Sequence, residues 1–319
     1  MKIKTGHFII ITLMLLMIFG TQNIKSQNTT LTNSKTVLIV KWGSEEGEIG
    51  LLDRPEVERC GPLSFGITEK GEILLLDTVN KRAIKFDSMG NPILIVKNVV
   101  GWSICSDGGG GFFVFDGEKL NHYSEEGIEK EAFLAPLKKK VIEGYGSEMV
   151  LTPDNKVEVN EVTQKNIPIA AGNAYMRSVR FEAIRGDELK MREGKIGNGT
   201  DPLRFTIKRI SSKDIRILGE DYDGKDLVSV PIKLDSGYAG AVLFKGQDLN
   251  GNLYVELEKI VDKHTQLEVH CYSKEGKRLK VFNLPNYYFT TVYKKTEVTP
   301  EGKIYQLQTT PDGVSIICY

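Results

Sequence analysis

One phrase recurs along this chain: a turn ending in Gly, an apolar run, a polar break, then an aromatic residue followed by Asp or Ser and a second turn. It reads Glu69-Lys70-Gly71-Glu72-Ile73-Leu74-Leu75-Leu76-Asp77, then Ile84-Lys85-Phe86-Asp87-Ser88-Met89-Gly90. It returns from Asp107 through Phe112-Phe113-Val114-Phe115-Asp116 to Tyr123-Ser124-Glu125-Glu126-Gly127. It appears again from Asn250-Gly251 to Tyr272-Ser273-Lys274-Glu275-Gly276, and last from Glu301-Gly302 to Tyr319. A two-strand unit with turn chemistry at fixed places cannot bury its own apolar face, so copies must stack or close into a ring. The 32 glycines among 319 residues, about 10% against a usual ~7%, suit such a turn-rich, all-β design.

The repeat sets the organisation. Gly71 and Gly110 lie 39 residues apart, and Gly251 and Gly302 lie 51 apart, near the span of one four-stranded propeller blade, about 40 to 50 residues. The roughly 280 residues from Thr36 onward then make six blades, with five or seven as neighbouring counts. Between the clear copies, Asp154 to Val159, Tyr175 to Ile184, Glu188 to Arg192, Arg204 to Ile210, Ile215 to Gly219 and Asp226 to Ile232 read as further strands, and Gly194 to Pro202 as a loop or hairpin tip. Gly127 to Val141 competes weakly as a helix, interrupted by Pro136. The last copy stops at its third strand. Val37 to Val40 can supply the fourth, so an all-β propeller, most simply six-bladed, is expected to close by pairing its N-terminal strand with its last repeat.

Residues 1–26 have the layout of a secretory signal peptide: Lys2 and Lys4, then an apolar stretch from Phe8 to Phe19 interrupted by Thr12, with cleavage after Gly20 or Ser26. A retained anchor is the competing reading. Residues 27–35 read as a disordered leader and 36–319 as one propeller domain, secreted or periplasmic. The charge balance is 42 basic against 42 acidic residues, and loss of Lys2, Lys4 and Lys25 leaves 39 against 42, or −3. That balance provides no basic footprint for nucleic acid. Cys60, Cys105, Cys271 and Cys318 allow disulfides in an oxidising compartment, but matching positions of adjacent blades lie too far apart to bridge easily, and four small buried side chains are an equal reading.

Gly-Pro-Leu-Ser-Phe at 61–65, then Gly71, Leu74, Asp77, Asn80, Arg82, Phe86-Asp87 and Gly90, resemble the NHL-repeat class of β-propellers, in particular secreted bacterial members. The resemblance runs from Gly61 to about Gly127 and again from Gly240 to Tyr319. It implies a propeller and leaves the activity open, because such propellers serve as binding scaffolds, RNA-binding domains, lyases and relatives of lactonases.

Residues able to carry chemistry are few. Asp77, Asn80 and Arg82 form a polar set, but Asp116 recurs at the place of Asp77, which favours a role in holding turns. Asp107-Gly108-Gly109-Gly110-Gly111 lacks the Lys-Ser/Thr ending of a P-loop and leads into a strand, so it reads as a turn. Of His122, His264 and His270, the first and last read as lying in third strands of their blades, away from the central channel, so a three-histidine zinc centre is not expected. A calcium ion on oxygen ligands scattered one per blade would leave no motif. Glu45, Glu46, Glu48, Asp53, Glu56 and Glu58 make an acid-rich loop, by default a solvated one ahead of a divalent-ion or basic-partner contact; Lys138-Lys139-Lys140 likewise reads as solvated. No Gly-x-Ser-x-Gly elbow is present. No catalytic, ligand-binding or metal residue is therefore assigned, and no cofactor is required. The expected role is a non-catalytic binding or scaffold module for a protein, peptide or glycan. The alternatives are a lactonase or calcium-dependent hydrolase acting through acids and amides at the channel mouth, and a structural subunit of a cell-surface assembly.

Overall fold

The computed structural model describes residues 34–134, 147–151, 157–163, 175–183, 189–193, 195–196 and 203–319, apart from residues 108, 117–118 and 222–224. The expected tip at Asn198-Gly199, the turn Asp154 to Lys156 and Lys138 to Lys140 lie outside these residues. Every element among the described residues is a strand, and none of them is a helix long and apolar enough to cross a membrane. The segment that competed as a helix contains a strand, Glu129–Leu134.

The strands fall into four-stranded antiparallel sheets. β1 (Lys35–Lys41) leads the chain. β2 (Phe65–Ile67), β3 (Ile73–Asp77), β4 (Arg82–Phe86) and β5 (Pro92–Lys97) make the first sheet; β6 (Ser103–Ser106), β7 (Phe112–Phe115), β8 (Lys119–Tyr123) and β9 (Glu129–Leu134) make the second. β10 (Ser147–Leu151), β11 (Val157–Thr163), β12 (Tyr175–Ala183) and β13 (Leu189–Glu193) make the third. β14 (Lys195–Ile196), β15 (Arg204–Arg209), β16 (Asp214–Glu220) and β17 (Asp226–Lys233) make the fourth. β18 (Tyr238–Gln247), β19 (Leu253–Val261), β20 (His264–Tyr272) and β21 (Arg278–Leu284) make the fifth. In the last sheet β22 (Thr296–Val298), β23 (Ile304–Thr310) and β24 (Gly313–Cys318) are completed by β1, in the order β1-β24-β23-β22.

The recurring phrase now has a physical cause. At Thr68–Glu72, Asp87–Asn91, Ser124–Ile128, Asp248–Asn252, Ser273–Lys277 and Thr299–Lys303, the first residue's N–H donates to the fifth residue's carbonyl, and the fourth residue's N–H donates back to the first. That fourth residue is always Gly, with φ between 77° and 87°, a left-handed conformation that costs Gly nothing and other residues strain. The first residue is Asp, Ser or Thr because its side-chain oxygen can cap the turn. Asp87 Oδ1 accepts from the Asn91 N–H at 2.8 Å and Asp248 Oδ1 from the Asn252 N–H at 2.8 Å, while Ser124 Oγ accepts from Ile128 at 3.2 Å. The aromatic just before the turn, Phe86, Tyr123 or Tyr272, ends the third strand and is buried.

Sheets pack face to face in chain order. Leu74, Leu76 and Ala83 of the first sheet bury against Ile104, Phe112 and Val114 of the second. Phe205, Ile217 and Val230 of the fourth meet Phe244, Val255 and Tyr272 of the fifth, and Phe282 and Leu284 of the fifth meet Ile304 of the last. The first strands of successive sheets touch, β2 on β6, β6 on β10, β14 on β18 and β18 on β22, which places them on the inner side of the array.

The first and last described strands share one core. β1 runs antiparallel to β24, with Lys35 opposite Cys318 and Val40 opposite Val314. Leu38 and Val40 are buried with Val314 and Ile316, and the same cluster takes in Phe65, Ile84 and Phe86 of the first sheet. Ile39, on the other face of β1, is 75% exposed. Leu38→Ala is therefore expected to lower stability by about 2 to 4 kcal/mol, through lost burial and the cavity left behind, whereas Ile39→Ala should change it by less than about 0.5 kcal/mol. Urea unfolding of the two variants checks this; equal, small effects would mean that β1 does not belong to the core.

Candidate functional site

Asp77, Asn80 and Arg82 act together as a clamp. Asp77 ends β3 fully buried; its Oδ1 accepts from the N–H groups of Gly50 and Asn80, both at 3.1 Å, and its Oδ2 pairs with Arg82 Nε at 2.9 Å. Arg82 then donates to the carbonyls of Ser44, Glu45 and Glu48, and the Asn80 amide donates to that of Gly43. Four of the five guanidinium donors are thus spent, one on the Asp77 carboxylate and three on backbone carbonyls, which marks Arg82 as a structural tie. The clamp holds the acid-rich loop 43–50 over the first sheet, with the charged tips of Glu45 and Glu46 in solvent.

The same crossover, from β1 to β2, runs beside a second long one, residues 285–295, and the two are zipped together. The Thr291 N–H donates to the Arg59 carbonyl at 3.2 Å, the Tyr293 and Lys294 N–H groups both donate to Leu63, and Thr291 Oγ1 donates to Glu58 at 2.5 Å. The Arg59 guanidinium lies 4.0 Å over the Phe289 ring. The zipper delivers Lys294 and Lys295 to the inner strand β22, where three lysines meet three glutamates. Lys294 is wholly buried, its Nζ 3.0 Å from Glu297 Oε2 and 5.6 Å from the Phe65 ring centre. Lys295 Nζ reaches Glu258 at 2.5 Å. Lys245 Nζ lies 3.8 Å from Glu256, whose Oε2 also accepts from Thr296 Oγ1 at 2.5 Å.

Local sequence explains how charges reach this depth. The register of β18 on β19 slips between Phe244 and Gly246, and Gly246 has φ 142°. This bulge leaves Lys245 without a residue directly opposite and turns its side chain toward Glu256. Burying a lone ammonium would cost several kcal/mol, so each buried lysine needs a carboxylate beside it. One oxygen stands out: Glu297 Oε2 is buried and accepts no hydrogen bond, its ion pair with Lys294 lacking hydrogen-bond geometry. Thr290 Oγ1, also in the zipper, is buried without a hydrogen bond too, and Arg59 Nε is held only by its ion pair with Asp53 at 3.1 Å. Unsatisfied buried polar atoms are rare and gather where a ligand or water completes them.

The other groups singled out in the sequence do not converge here. The turn Asp107 to Gly111 is capped by its own Asp107, which also meets His122 Nε2 at 2.8 Å. His264 is exposed at the start of β20. His270 lies buried between the fourth and fifth sheets in a row with Glu268 at 2.7 Å and Tyr272 at 3.2 Å. All four cysteines are free, Cys105 and Cys271 buried, Cys60 and Cys318 half-buried; burial pushes the Cys60 and Cys271 thiols above their ordinary value. Among the described residues no group of three or more His, Cys, Asp or Glu is placed to hold a metal ion. Lys245, Glu256, Lys294 and Glu297 were not picked out from the sequence, because they are scattered over some fifty residues without a motif. The available signal was a charge set inside an apolar strand run, as in Val242-Leu243-Phe244-Lys245 and Tyr254-Val255-Glu256-Leu257.

No protein-family model matches the chain, and no curated protein does. Solved structures do resemble it in fold. The PQQ-bound aldose sugar dehydrogenase from Streptomyces coelicolor is 10% identical, with a TM-score of 0.49 over 89% of this chain and 97% of that one. A gluconolactonase from Xanthomonas campestris is 10% identical, with a TM-score of 0.47 over 90% and 95%. A streptogramin B lyase is 10% identical, with a TM-score of 0.48 over 89% and 96%. Four-stranded antiparallel sheets packed in chain order, with their first strands innermost, make the architecture all-β and propeller-type. No residue is transferred from structures so distant. The expectation of a non-catalytic binding module is corrected at this point: the three solved structures just named carry the names of enzymes, and at 10% identity they show a fold and leave the activity of this chain to the site.

Two outcomes follow from this geometry. Asp77→Ala should cost about 3 to 5 kcal/mol by stranding Arg82 and should open loop 43–50 to protease, seen as early cleavage near Glu45 to Glu48; an unchanged digest would contradict the clamp. Glu268 is pushed up by burial, but its bonds to His270 and Lys259 outweigh this and hold it below its ordinary value of 4.5. Its folded form therefore gains stability above that value and loses it as pH falls through the lower folded value. The stability gap between the wild type and Glu268→Gln should be constant near neutrality and shrink below about pH 4.5 in urea titrations.

Proposed function

We propose that the protein is a hydrolase of the lactonase kind, with its reacting centre at the Lys294–Glu297 pair on the inner strand β22. The supporting frame is a secreted, six-bladed propeller of NHL-like repeats closed by β1. The observation that carries the reading is the Glu297 Oε2 oxygen, buried, accepting no hydrogen bond and 3.0 Å from a buried lysine.

Ester and lactone hydrolysis needs a base to take a proton from water and a positive group where negative charge develops. Glu297 Oε2 accepts the proton while the water oxygen forms a bond to the carbonyl carbon. The Lys294 ammonium stabilises the resulting oxyanion without a change in its own charge. Collapse of the tetrahedral intermediate breaks the carbon–oxygen bond to the leaving alcohol, which receives the proton from Glu297. The acid then leaves as a carboxylate and releases one proton to bulk water. Thr296, which donates to Glu256, and Phe65, which lies beneath Lys294, keep the strand and the ammonium in place.

Proton release from simple neutral lactones, followed at constant pH, tests the proposal. Wild type should turn over. Glu297→Gln, which keeps size and removes the base, should lose about 100-fold or more in kcat, measured where its circular dichroism matches that of the wild type, since stranding the buried Lys294 also lowers its urea midpoint. Lactone hydrolysis by Glu297→Gln at the wild-type rate would overturn it.

A further inference from the structure

We infer that the Lys294–Glu297 site admits uncharged esters or lactones, rejects substrates bearing a carboxylate, and expels its own acid product. The inference rests on the hydrolase reading and adds to it the charge of the substrate.

The lysines around the site are matched in place. Lys294 is paired with Glu297, Lys295 with Glu258 and Lys245 with Glu256. An anionic substrate would need to draw a lysine from its partner and leave a buried carboxylate uncompensated, which is strongly unfavourable. A neutral carbonyl makes no such demand, and its negative charge appears only as the oxyanion forms beside Lys294.

The surroundings act in the same direction. The crossover from Trp42 to Ser64, zipped to residues 290–294, carries six carboxylates against Arg54 and Arg59. Arg59 is already committed to Asp53 at 3.1 Å and to the Phe289 ring. The Asp77–Arg82 clamp fixes the loop, so its field does not swing away. A fixed excess of negative charge beside a site attracts cations and repels anions, more so at low salt. Hydrolysis turns a neutral substrate into an anion, so the product is repelled by the field that the substrate did not feel.

A pair of alkyl esters that differ only in a terminal carboxylate, against its neutral methyl ester, tests the inference in low and high salt. The expected result is kcat/KM at least about tenfold higher for the neutral member, with a gap that narrows as salt rises. Equal rates, or preference for the carboxylate-bearing ester, would overturn it and leave the hydrolase reading intact. A second measurement decides the matter without turnover. Trp42 and Trp102 are the two tryptophans, so in Trp102→Phe the fluorescence reports on Trp42, whose ring lies against Gly61 at the zipper. Caesium should quench it more than iodide relative to neutral acrylamide. Stronger quenching by iodide would overturn the inference whether or not any ester is hydrolysed.

Discussion

The pairing of β1 with β24 is the contact on which the remaining structure depends. A sheet of three strands would leave β24 with a free edge and would uncover Val314 and Ile316. Supplying the fourth strand from the other end of the chain covers both, and it draws the first sheet against the last through a single core around Phe65, Ile84 and Leu307. The entropic cost of bringing such distant segments together grows only slowly with the length of chain between them. The burial gained at Leu38 and Val40 offsets it.

This closure also creates the candidate site. The crossover that leaves β1 and the crossover that enters β22 run side by side because the two ends of the chain meet there. Elsewhere among the described crossovers, successive sheets are joined by short turns such as residues 98–102 and 234–237. Where these long loops pair, buried Lys294 and the unsatisfied oxygens of Thr290 and Glu297 lie close together in sequence. Strongly determined surroundings allow such costly groups to persist, and polar burial of this kind is more often related to function than to stability.

Much of the architecture was legible in the residues. The Asp, Ser or Thr and the Gly of each turn mark places where a side-chain oxygen and a left-handed backbone are required, and those requirements are local. The aromatic before each turn marks the end of a buried third strand. The fourth strand contributed by Val37 to Val40 could be inferred because the last copy lacks one, and β1 lies antiparallel to β24 with Val40 opposite Val314. The site was not legible for the opposite reason. Lys245, Glu256, Lys294 and Glu297 gain meaning only from which sheets adjoin and from the bulge at Gly246, and neither leaves a short-range pattern. Asp77 and Arg82 were visible as a polar set, but their reach to Ser44 and Glu48 depends on a loop whose path is set by closure.

Native-state hydrogen exchange of the β1 amides tests the central claim most directly. If the first strand is integral to the closed array, its bonded amides exchange only through global unfolding, with the same free energy as those of β3 at the centre of the first sheet. Exchange of β1 several orders of magnitude faster than β3, with the rest of the protein protected, would show that the ends are not joined in the native state and would remove the basis for the site between them.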